Sequence, residues 1–215
     1  MMTTLFFRRR VALQWGVLLL SGWLLTACQR DEPCPLCDAI VSGDEARVRQ
    51  AIPGAEINKG FRAPVPGRMR FPFNDALERL HSPGSAEGPE AAAARSIVML
   101  LLESGADPNG QFTFPSEDTA PPYIVSAAAR AAESGDARVM RAFVARGLNP
   151  KHEFAGNALI AASGSGYADV VQVLLEAGVD VNYRDRAKRS ALSEAIRTKN
   201  QALIAVLEQA GAKEF

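Results

Sequence analysis

Beyond residue 34, apolar side chains recur at intervals of three and four in short runs separated by polar turns, the spacing of amphipathic helices. The runs RVRQAIPG (47–54), SIVMLLLESG (96–105), RVMRAFVARG (138–147), ADVVQVLLEAG (168–178) and ALIAVLEQAG (202–211) each end on a glycine suited to a left-handed helix cap. Shorter runs of small residues precede them, closed in four cases by a polar turn: SGD at 42–44 and at 134–136, SGY at 165–167, and TKN at 198–200. The chain therefore reads as helix, turn, helix, glycine and extended loop, written out five times.

The loops carry a phrase of their own. GAEIN (54–58), GADPN (105–109), GLNP (147–150) and GVDVN (178–182) repeat, and a last GA stands at 211–212. Gly147, Gly178 and Gly211 are 31 and 33 residues apart. Three helix starts align without gaps: Cys34-Pro35-Leu36-Cys37, Phe71-Pro72-Phe73-Asn74 and Ser190-Ala191-Leu192-Ser193. Together these features resemble ankyrin repeats over residues 34–215, with units starting near 34, 71, 126, 157 and 190. The resemblance implies an all-α, ankyrin-repeat solenoid of about five helix-turn-helix repeats with extended finger loops. Each unit leaves an apolar face that only its neighbours can cover, so the stack is the folding unit. Asp107, Asp180, Asn109 and Asn182 are read as satisfying finger backbone groups, a habit of short polar side chains.

Two fingers are longer than the pattern needs: NKGFRAPVPGRMRFPF (58–73) and GQFTFPSEDTAPPY (110–123). Long loops on a rigid scaffold are where binding residues concentrate, although neutral loop drift gives the same appearance. Ankyrin domains bind through the concave face made by fingers and inner helices. The resemblance therefore nominates Phe112, Phe114, Tyr123, Arg130, His152, Tyr183 and Arg184 as partner-binding residues. Aromatic and arginine side chains are the usual anchors of such interfaces.

Residues 1–27 belong to another kind of segment. Arg8, Arg9 and Arg10 precede an interrupted apolar run, Val11 to Leu25, too short for a comfortable membrane span. The run ends in Leu25-Thr26-Ala27-Cys28, which resembles the lipobox of bacterial lipoproteins. That resemblance implies cleavage before Cys28, lipidation of its thiol and a short tether over 28–33. Gln29 in place of aspartate implies sorting to the outer membrane, facing the periplasm. Losing residues 1–27 removes three arginines and no acid, which leaves three more acids than bases. A mildly acidic domain has no electrostatic pull toward anionic lipid, so acyl chains would hold it at the membrane.

The candidate chemistry is sparse. Acidic and basic side chains are equal in number, 24 each, which gives no reason to expect nucleic acid. His81 and His152 have no companion ligand at metal spacing, so neither a metal nor a cofactor is expected. No serine lies in a nucleophile elbow, which places a hydrolytic enzyme last and leaves no small-molecule substrate to expect. With Cys28 taken by lipid, Cys34 and Cys37 remain as a pair three residues apart at a helix start. Their β-carbons would lie about 5–6 Å apart, near enough for a disulfide after a small distortion. A redox pair and free or metal-bound thiols are the other readings. Together the two resemblances imply a protein-binding module with an unidentified periplasmic partner, acting as an inhibitor or an immunity protein. Accessory work in redox or oxidative-stress defence through Cys34 and Cys37 is the alternative.

Overall fold

Most helices in this protein start where a side chain or a proline settles the first unpaired amides. A computed structural model describes residues 33–62, 69–81, 88–115 and 122–214. Cys28 and the rest of the signal-like segment lie outside the described residues, and residues 34–215 form one compact unit.

Among the described residues ten helices form five successive pairs. They are α1 (Pro35–Ser42) with α2 (Glu45–Ala51), α3 (Pro72–Leu80) with α4 (Pro89–Glu103), and α5 (Ala127–Glu133) with α6 (Ala137–Ala145). The last two pairs are α7 (Glu153–Ser165) with α8 (Ala168–Glu176) and α9 (Ala191–Arg197) with α10 (Gln201–Gln209). Two of the fingers are antiparallel hairpins, β1 (Phe61–Arg62) with β2 (Met69–Arg70) and β3 (Gln111–Phe114) with β4 (Tyr123–Ser126).

Capping explains the boundaries. Prolines occupy the first turn of α1, α3 and α4, where their missing N–H costs nothing. Ser126 Oγ accepts from Ala129 N, and Ser190 forms a reciprocal capping box with Ser193. Asp44, Asp136 and Asn200 cap the outer helices α2, α6 and α10 in the same way. After each outer helix a glycine takes a positive φ, as at Gly105 (99°), Gly147 (96°) and Gly178 (86°).

The core runs the length of the stack. Ala127, Ala128, Ala131 and Ala132 of α5 are fully buried, as are Ala155, Ala158 and Ala162 of α7. These small side chains let the inner helices of neighbouring units pack closely. Outer helices supply the bulk, with Ile97, Leu101, Met140, Phe143, Val171, Leu174, Leu203 and Leu207 all shielded from water. Three asparagines bridge successive units. Asn58 Nδ2 donates to the Gly105 carbonyl (3.0 Å) while its Oδ1 accepts from Asp107 N (3.0 Å). Asn109 makes the same two bonds to Gly147 and Asn149 (2.9 and 2.7 Å), and Asn182 to Gly211 and Lys213 (3.1 and 2.9 Å).

The fourth unit departs from the expected start at Asn157. Its inner helix α7 begins one turn earlier, at Glu153, because His152 Nδ1 accepts the Phe154 N–H at 3.3 Å and Glu153 puts negative charge in the first turn. Ten residues separate Gly147 from Asn157, whereas twelve separate Gly178 from Ser190. The chain that elsewhere builds a finger is here shorter and partly wound into helix. Accordingly α7 has 13 residues against 7 in α5 and in α9. Ser165, read from the sequence as the first residue of the turn at 165–167, is the last residue of α7, and the helix closes at Gly166 with φ 80°.

Candidate functional site: a cleft where one finger is missing

Two fingers flank the short fourth unit. One is the β3–β4 hairpin, in register Phe112↔Val125 and Phe114↔Tyr123. Strand alternation puts these four residues on one face and Gln111, Thr113, Ile124 and Ser126 on the other. On the first face Phe112 packs on Phe71 (5.4 Å between ring centroids) and Phe73 (6.4 Å). Phe114 meets Phe71 edge-on at 5.3 Å and stacks on Tyr123 at 4.9 Å. Phe73 in turn stacks on Phe143 at 5.6 Å. The rings form an unbroken path from Tyr123, which is 55 % exposed, to Phe143, which is fully buried.

The other flank is the loop from Asn182 to Ser190. Its tip is closed by Asp185 N donating to Arg189 O (3.0 Å) and Lys188 N to Asp185 O (2.9 Å), while Asp185 Oδ1 accepts Arg189 N at 2.8 Å. Between the two flanks lies a cleft of about 790 Å³, floored by α7 and α5 and walled at its far end by α9. Ile124, more than half exposed, stands on the hairpin side; Tyr183 stands on the loop side, and Phe154, Asn157 and Ile160 lie between.

Two glycines of α7 shape the cleft. A Cβ on Gly156 would sit 2.2 Å from Tyr183 Cδ1, and one on Gly164 would sit 3.2 Å from Glu194 Oε2. Because both positions lack a side chain, the tyrosine ring and the Glu194 carboxylate can seat directly on the helix. The Tyr183 hydroxyl then donates to Asn157 Oδ1 at 3.3 Å. Burial, helped by the Glu153 and Asp185 carboxylates, pushes the Tyr183 phenol above its ordinary pKa.

Two ion pairs stand on the walls. Arg189 binds Asp185 at 2.8 Å, and Arg197 binds Glu194 at 2.7 Å. Burial alone would raise the Asp185 carboxyl, but the Arg189 amide and guanidinium outweigh it and hold the group below the ordinary carboxylate value. Among the described residues no group of three His, Cys, Asp or Glu side chains could hold a metal ion.

The same arrangement of helix pair and capping glycine recurs from unit to unit, with an asparagine bridge at three of the four joints. Residues 128–214 match the family model for ankyrin repeats, in three copies. The fold is an ankyrin-repeat solenoid. Ankyrin repeats generally mediate protein–protein contacts and are typically not enzymes. A search of the curated proteins finds no match to the chain.

The nominated residues scatter around this ankyrin face. Tyr183 lines the cleft. Arg184 is exposed on the same loop but outside the cleft lining. His152 caps α7, packs at a tilt against Phe154 (4.4 Å between ring centroids) and lines a smaller adjoining hollow. Arg130 is mostly covered, at the limit of ion-pair distance from Glu78 (3.8 Å) and Glu133 (3.7 Å). Tyr123 and the half-buried Phe114 sit together on the opposite face of the hairpin. Phe112 is a correction: it is 4 % exposed, because it fills the gap between Phe71 and Phe73, and it cannot anchor a partner. Ile124, Phe154, Asn157, Arg189 and Arg197 line the cleft without having been nominated. The signal that could have found them was the shortened spacing between Gly147 and Asn157.

The cysteine pair lies at the opposite end of the stack. The Cys34 and Cys37 sulfurs are bonded, and both residues are buried. Cys34 Sγ also accepts the Cys37 N–H at 3.1 Å and so caps α1.

Proposed function

We propose that the chain is a protein-binding module whose partner inserts a segment into the cleft between the β3–β4 hairpin and the 182–190 loop. The observation that carries this reading is the absence of a full finger in the fourth ankyrin unit, which opens an indentation lined by Ile124, Phe154 and Tyr183. Apolar and aromatic groups beside paired charges are the composition of a specific protein interface.

The proposed address is the periplasmic side of a bacterial outer membrane, through lipid on Cys28. Leu25-Thr26-Ala27-Cys28 supports it, and a paired Cys34–Cys37 agrees with an oxidising compartment. Inhibition of a partner, as by an immunity protein, is the role we favour. Cys37 is wholly buried and Cys34 nearly so, which favours a structural bond over thiol exchange.

Photo-crosslinking in intact cells from positions 124 and 183, followed by mass spectrometry, tests the binding reading. A discrete adduct shared by both positions is expected; no adduct from either would sink the cleft. For the address, alkyne-palmitate labelling and membrane fractionation should both be lost in Cys28→Ser.

A further inference from the structure

The asparagine bridges leave one joint unfilled. In GAEIN, GADPN and GVDVN the fifth residue is the bridging asparagine, whereas the matching position after Gly147 is Lys151. The groups that the bridge would reach are the Gly178 carbonyl and the Asp180 N–H. Among the described residues neither makes a hydrogen bond, and both border a hollow of about 460 Å³ with Lys151, His152 and Tyr183. Their geometry is nevertheless that of the filled sites. Gly178 has φ 86°, beside 99°, 96° and 91° at Gly105, Gly147 and Gly211. Val179 N donates to Leu174 O at 3.1 Å, as Ala106, Leu148 and Ala212 do to Leu101, Phe143 and Leu207 at 2.9, 3.0 and 2.9 Å.

We infer that this loop is a receptor for a carboxamide presented by the protein partner, an asparagine side chain above all. The chain contains three worked examples of the recognition: one N–H of the amide donates to the glycine carbonyl, and its oxygen accepts from the backbone N–H two residues on. A lysine ammonium has donors only and cannot complete the pair. Tyr183 borders both this hollow and the main cleft, so a segment lying in the cleft reaches the receptor without leaving the surface. The inference rests on the binding reading above.

The test uses the full chain in detergent micelles, with N-acetyl-asparagine methylamide as the probe and the leucine analogue, of the same shape without the amide, as its control. The Asp180 amide resonance should shift downfield saturably with the asparagine probe and not with the control. Lys151→Asn should abolish that shift by closing the joint internally, and should raise Tm by roughly 2–4 °C for a chain of this size. No saturable shift, an equal shift in Lys151→Asn, or an unchanged Tm in that variant would each overturn the receptor. Crosslinking in cells separates the two readings. If capture from position 183 survives Lys151→Asn unchanged, the carboxamide receptor falls alone; if wild type captures nothing, the binding module falls as well.

Discussion

Gly156 has no room for a methyl group on the side that Tyr183 covers, since the added carbon would sit 2.2 Å from Cδ1 of a ring held between helix and loop. Gly156→Ala should destabilise the domain by about 1–3 kcal/mol in urea unfolding, and the loss should shrink in the Gly156→Ala, Tyr183→Ala double variant. Asp75 gives a pH-dependent counterpart. Burial raises its carboxyl to about 6, against the pull of Arg70 at 3.1 Å and with a further push from Glu78. Its folded pKa thus exceeds its unfolded one, so the folded state holds the proton more tightly, and its contribution to stability is gained as pH falls through 6 and is lost above it. Relative to Asp75→Asn, wild type should therefore gain urea stability between pH 7 and pH 5. Glu45, Asp136 and Asp185, all lowered, act in the opposite sense nearer their own titration at more acid pH. At this scale the sequence was partly legible. Asp107 and Asp180 do accept from Asn109 N and Asn182 N at 2.9 Å, as short polar residues do in turns. That Asn109 and Asn182 reach across to the next unit could not be read, because the sequence shows spacing along the chain and not which loop lies alongside.

Among the elements, the β3–β4 hairpin divides its two faces between stability and the proposed recognition. Phe73→Ala should cost about 3–5 kcal/mol, since the ring is buried and stacked on Phe143. Ile124→Ser should change stability by no more than about 0.5 kcal/mol and yet weaken partner capture from position 183. At the first helix, Cys34→Ser with Cys37→Ala keeps an oxygen cap on α1 and removes only the bond. The chain-entropy model puts that loss at about 2 kcal/mol, to be read from hydrogen exchange of the α1 amides. Helix pairs were plain in the sequence because serine, aspartate, proline and glycine each settle a local hydrogen-bonding problem, and the exception is α7, which starts on His152 rather than near Asn157. The aromatic path was not. Phe71 and Phe73 look like helix-start residues, Phe112 and Phe114 look like exposed loop residues, and only the strand register brings the four together.

Across the whole stack each unit touches only its neighbours, so stability is set joint by joint and the end units fray first. The bond at Cys34–Cys37 strengthens one such end. The fourth unit combines the shortest finger with the unfilled asparagine joint, while its inner helix α7 packs on α5 more extensively than any other two helices meet, so the part of the stack proposed for recognition lacks a finger bridge and is held by helix packing instead. Period and fold could be recovered from composition and spacing, but this coincidence could not, because it depends on two departures from the repeat meeting in space. The ring path from Tyr123 to Phe143 has a final consequence. It ties strands β3 and β4 to the buried core, so the wall of the cleft proposed to face the partner is preorganised. A partner that docks there has little of those two strands left to immobilise, and the entropy of association it must overcome is correspondingly smaller.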